Sequence, residues 1–113
     1  MSQDNALKRQ VSIRPRAIED IEKCAQYLEV NATPEVALRF RSSVMQTVEQ
    51  IEAIPGAGSP RHIENPRLSG LRMRIVPGFR NYLLFYITPQ GGIEIIRLFH
   101  GAQDVNSILE TDK

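Results

Sequence analysis

At 113 residues, 42% of them hydrophobic and 24% charged, the chain has the size and balance of one soluble globular domain and leaves little room for a second. A formal net charge of +1 excludes a chain-wide pull toward nucleic acid, and a single cysteine, Cys24, excludes an internal disulfide. No apolar run approaches the ~20 residues of a membrane-spanning helix, and the polar opening MSQDNALKRQ is unlike a signal peptide, so a cytoplasmic protein is expected.

Residues 1–10 read as a flexible N-terminus, 11–110 as one folded domain and 111–113 as a C-terminal tail. VSIRP starts as a short strand with Val11 and Ile13 on one face, and Pro15 then suits the first turn of a helix. Ile18, Ile21, Ala25 and Leu28 recur at helical spacing with Cys24 beside them, which makes that thiol a structural group and not a nucleophile. Thr33-Pro34 predicts an N-cap and first turn for a second helix, with the stripe Ala37, Phe40, Val44, Thr47 or Val48, Ile51 and Ile54. So short a link predicts an antiparallel helical hairpin.

PGAGSPRHIENPRLSG (55–70) reads as a loop ordered by Ile63 and Leu68, after which the apolar period changes to two. LRMRIV (71–76) places Leu71, Met73 and Ile75 on one side and Arg72, Arg74 and Val76 on the other. Pro77-Gly78 predicts a tight, type II-like turn, NYLLFYIT (81–88) a central strand apolar on both faces, and IEIIRLFH (93–100) a third strand after a second turn. Asp104 can cap a short final helix, VNSILE. The fold class is therefore α+β in the order β-α-α-β-β-β-α. The helical hairpin is expected on one sheet face, and Arg72, Arg74 and Arg97 on the other, open face.

Charge is divided along the chain. Residues 19–52 hold seven acids against Lys23, Arg39 and Arg41, a net of −4, while residues 61–100 hold six arginines against Glu64 and Glu94, a net of +4. Arginine in place of lysine suits bidentate contacts to carboxylates or phosphates.

Three segments carry a family resemblance: RPRAIEDI (14–21), LSGLRMRIVPGFRNYLLFYI (68–87) and EIIRLFHGAQDV (94–105). Taken in order, they resemble the RelE/ParE superfamily of type II toxins over roughly residues 11–110. The G-L-R-x-x-x-V-P-G-F-R-N-Y run and the R-x-x-H-G-A-x-D ending look most like the ParE branch. The resemblance implies a RelE/ParE-like fold, DNA gyrase as target, and a cognate antitoxin that wraps an amphipathic segment around the toxin. The candidate groove for that segment lies between the helical hairpin and the sheet edge. Candidate target- or antitoxin-binding residues are Arg72, Arg74, Arg80, Arg97 and His100.

The alternative is the ribosome-dependent endoribonuclease of the RelE branch. Cleavage through a 2′-hydroxyl needs a base, an acid and cations, roles open to Arg72, Arg74, Arg97 and His100. The RelE-branch resemblance would imply a strongly basic chain, with a tyrosine or histidine near the end of the last strand and a lysine-rich segment before it. A net charge of +1, no tyrosine after Arg97 and a single lysine between Arg9 and Asp112 count against it, and His100 alone leaves it open. A third reading is a degenerate member that keeps only antitoxin binding. No cofactor is expected, and His62, His100 and Cys24 are too few for a structural zinc.

Overall fold

The computed structural model describes residues 9–112, so most of the N-terminal stretch read as flexible, and Lys113, lie outside the described residues. A first strand, β1 (Val11–Ile13), leads into two helices, α1 (Pro15–Asn31) and α2 (Pro34–Ala53). Four further strands follow: β2 (Ser59–Pro60), β3 (Arg72–Val76), β4 (Phe79–Ile87) and β5 (Ile93–His100), and then a final helix, α3 (Val105–Glu110). The sheet order is β1-β5-β4-β3-β2, with β1 parallel to β5 and the other pairs antiparallel. The expected order is thus observed, with the two-residue β2 as an addition from within the predicted loop.

Local chemistry explains the boundaries. The Thr33 hydroxyl accepts the Val36 amide at 3.1 Å, so α2 starts with a capped first turn behind Pro34. Pro77 and Gly78 join β3 to β4, and Gly78 has φ +81°, the left-handed value that a type II turn requires at that position. The sheet side of α1 is marked by Ala17, Ile21, Cys24, Ala25 and Leu28. Ile18, expected in that stripe, is 50% exposed because the 3.6-residue period runs through its neighbour Ala17. Ile54, expected to close the α2 stripe, lies beyond the helix end and is also exposed.

Both sheet faces are covered. The hairpin packs Phe40, Val44 and Ile51 on Tyr82, Leu84 and Tyr86 of β4 and on Ile93, Ile95 and Leu98 of β5. On the reverse face, Ile63 and Leu68 of the long loop and Val105 and Leu109 of α3 bury Phe85, Ile87, Ile96 and Phe99. The expectation of an open second face is therefore overturned. The loop and final helix contribute enough apolar surface to form a thin second layer.

A bulge shapes β5. Phe85 is opposite Arg97 but Tyr86 is opposite Ile95, so Ile96 is the extra residue. β1 pairs only as far as Ile95, after which the outer edge of β5 is open to α1.

Candidate functional site

The sequence-predicted residues fall into three separate places. Arg72 and Arg74 lie opposite Tyr86 and Leu84, which puts them on the helix side of the sheet and not on the reverse face. Alternation gives which residues share a face but not which layer covers it, and the helices cover this one. Arg72 Nη1 donates to Gly58 O at 2.7 Å and Gly56 O at 3.2 Å, and Arg74 Nη2 donates to Gln50 Oε1 at 2.7 Å. Both guanidiniums thus tie β3 to the end of α2 and the turn after it. Beside them, the Tyr86 hydroxyl donates to Pro55 O at 2.7 Å and accepts the Gly58 amide at 2.9 Å. Arg80 is exposed beyond the Pro77-Gly78 turn.

Arg97 is buried, and its side chain meets α1. Its Nε and Nη2 donate to Asp20 Oδ2 at 2.7 Å and Oδ1 at 3.0 Å, a bidentate pair with side chains only 8% and 14% exposed. Asp20 Oδ2 also accepts the Leu98 amide at 3.0 Å, serving the strand edge that β1 leaves free. The hydrogen bond and charge of Asp20 raise the Arg97 pKa further above its usual range, against the opposing effect of burial. The guanidinium also sits 4.6 Å from the Phe99 ring centroid. In the sequence, Asp20 is one of several acids on the polar side of a helix, and no local signal pairs it with a residue 77 positions away.

His100 is the third place. Its ring meets Tyr82 edge-on with centroids 5.1 Å apart, and its Nδ1 accepts the Ala102 amide at 3.2 Å. It lines a cleft with Lys23, Cys24, Tyr27 and Tyr82. Burial, with the negative charge of Asp20 second, pushes the Cys24 thiol up to about 11, so the sulfur is protonated at neutral pH and is a poor nucleophile. That agrees with the structural role expected for it.

Arg72 and Arg74 stand on β3, two strands from β5 and hence roughly 10 Å away across the sheet. They bond to the α2 end, Arg97 is closed on Asp20, and His100 faces Tyr82. A base, an acid and cations gathered on one phosphate are not what this arrangement presents. Among the described residues, no group of three or more His, Cys, Asp or Glu side chains is placed to hold a metal.

Other anchors have no signature in the local sequence. Arg14 joins Glu94 at 2.7 Å and Asp112 at 2.8 Å, and the Asn65 amide donates to Leu109 O and Asp112 O, both at 2.8 Å. Their partners lie 44 to 98 positions away, beyond the reach of any local pattern.

The ParE toxin of type II toxin–antitoxin system, parDE, is the family that matches this sequence, over residues 11–105. The chain belongs to the ParE toxin family. A solved structure described as the chromosomal ParDE TA system from P. aeruginosa is similar to it in fold, with a TM-score of 0.68 at 18% identity, covering 83% of this chain and 97% of that one. No curated protein sequence matches the chain. The ParE-type reading of the two sequence motifs is borne out. Among the described residues, no helix is long and apolar enough to cross a membrane.

Proposed function

We propose that this ParE-family chain is a toxin that inhibits DNA gyrase through its surface, without bond-breaking residues of its own, and that direct binding of a cognate antitoxin neutralises it. The observation that carries the reading is the dispersal of Arg72, Arg74, Arg97 and His100, which a phosphodiester-cleaving site would have to bring together. A protein that traps another enzyme's DNA intermediate needs only a complementary surface. The exposed Arg80 and the half-buried rim of Arg72 and Arg74 are the residues offered to the target. The acidic hairpin and basic strands suit an amphipathic antitoxin of mixed charge lying along the groove between hairpin and sheet edge. Gyrase and its DNA place this action in the cytoplasm.

The test is a supercoiling assay with purified toxin freed of antitoxin. Loss of supercoiling with accumulation of cleaved DNA complexes, reversed by added antitoxin, supports the proposal. Undiminished gyrase activity at large toxin excess defeats it, and message cleavage on translating ribosomes would then favour the nuclease alternative.

A further inference from the structure

On the helix-covered face, Tyr82 and Tyr86 sit four residues apart on β4 and are both nearly buried, at 8% and 0% exposure. The Tyr86 hydroxyl makes two hydrogen bonds, whereas the Tyr82 hydroxyl makes none to any described residue. No buried side-chain nitrogen or oxygen among the described residues is orphaned, so the Tyr82 hydroxyl is open to the cleft that its ring helps line. A tyrosine held this far inside by Phe40 and Phe79, at 5.0 and 6.4 Å between centroids, ordinarily has a partner for its hydroxyl.

The rest of the cleft has a consistent character. His100 takes the Ala102 amide on Nδ1, so in the neutral ring the proton sits on Nε2 as a donor. Lys23 and Tyr27 are one helical turn apart on α1 and supply an ammonium and a second phenol. Cys24 stays a neutral thiol between them. No acid lines the cleft, and of the acids on the preceding turn of α1 Asp20 is occupied by Arg97 and the Leu98 amide and Glu22 by Arg41. Every polar group lining the cleft can therefore donate, and none is an obligate acceptor. The walls are the rings of Tyr27, Tyr82 and His100, around a volume of about 330 Å³, at the small end of ligand-sized cavities.

We propose that this cleft is a binding site for a carboxylate carried on a flat apolar body, with the body against the exposed ring of Tyr27 and the carboxylate on the Tyr82 hydroxyl, His100 Nε2 and Lys23. Two sources share that chemistry: a free aromatic acid, and the terminal aromatic residue of a peptide. The site stands independently of gyrase as target, since no residue named for gyrase contact except His100 takes part.

The test is an amide NMR titration of the full chain with 3-phenylpropionate as probe. Saturable shifts are expected at Lys23–Tyr27, Tyr82 and His100. Removing the charge, with 3-phenylpropionamide, should weaken binding about a hundredfold, and Tyr82→Phe about tenfold, the loss of one charge-assisted hydrogen bond. Tyr82→Phe removes a hydroxyl without an internal partner, so the variant should melt like the parent and its binding loss cannot be ascribed to unfolding. Acetyl-Gly-Phe with a free carboxylate distinguishes the sources: tighter binding than the probe assigns a peptide terminus, weaker binding a free acid. Equal affinity for acid and amide, shifts outside the cleft, or no saturation at high probe excess would each overturn the proposal.

Discussion

The two ends of the helix-covered face are built from similar residues and finished differently. At one end, the Tyr86 hydroxyl and one guanidinium nitrogen each of Arg72 and Arg74 bond inward onto the α2 terminus and its following turn. At the other, Tyr82 and His100 share the same aromatic packing but leave donors facing a cleft. The lesson is that burial and polar satisfaction are separate quantities. A side chain can be equally dry over its ring and yet closed at one end of a strand and open at the other.

The largest expected effect comes from the ion pair that holds α1 against β5 beneath the open end. Asp20→Ala leaves Arg97 buried without its counter-ion and the Leu98 amide without its acceptor, and should cost about 3–5 kcal/mol in urea unfolding. A loss below about 1 kcal/mol would mean that the pair is no more than a surface salt bridge.

The closed end is sharpened next. Tyr86→Phe removes a hydroxyl with two partners, buried Gly58 and half-buried Pro55, and should cost about 1–3 kcal/mol. Gly58→Ala should cost a similar roughly 1–3 kcal/mol, because its new Cβ would stand 2.5 Å from the Tyr86 oxygen and force that knot apart. If both variants melt with the parent, the closed end is not closed.

Alkaline pH addresses the open end. The Cys24 pKa is raised to about 11 from 9.0, and Tyr82 is raised as well, chiefly by burial. Both groups stay neutral in the folded chain at a pH where the unfolded chain ionises. Their contribution to stability is complete below about pH 9 and is lost as pH rises toward 11. Because Cys24 is only partly buried, the loss should be about 1 kcal/mol, and Cys24→Ala should flatten the decline in stability measured by urea melts across that window. An unchanged slope in the variant would place the titration elsewhere. The smallest effect is assigned to Tyr82→Phe, within about 0.5 kcal/mol of the parent at neutral pH. A loss as large as that of Tyr86→Phe would erase the contrast between the two ends.

Much of this architecture is legible in the sequence because its signals are local. Thr33-Pro34 marks a helix start, Pro77-Gly78 a hairpin, and the change of period after residue 70 marks the passage from helices to strands. The two sides of Arg72-Met73-Arg74 were also separable, but not which of them the helices would cover. Both sides find apolar cover, and on the helix side the two arginines bond to the α2 end and the turn after it. The bulge at Ile96 leaves only a faint trace: Glu94 and Arg97 stand three apart, an odd spacing for one strand face, and the apolar run of residues 82–87 opposite offers no polar pattern to compare it with. Candidate residues were found by type, as arginines and a histidine, whereas Asp20 and Tyr82 owe their positions to partners or openings defined only in three dimensions.

The parallel pairing of β1 with β5 has a consequence for how the toxin is made. Val11 must wait for Ile93, and Arg14 for Asp112 some 98 positions later, so the first strand has no neighbour until β5 has been made. Contacts this distant in sequence are slow to form and the last to reward the search for them. At ~5–20 residues per second, that interval lasts roughly 5–20 s, during which the nascent chain has no complete sheet. Any surface that needs the whole sheet is therefore complete only once β5 has been made, however early the helical hairpin forms.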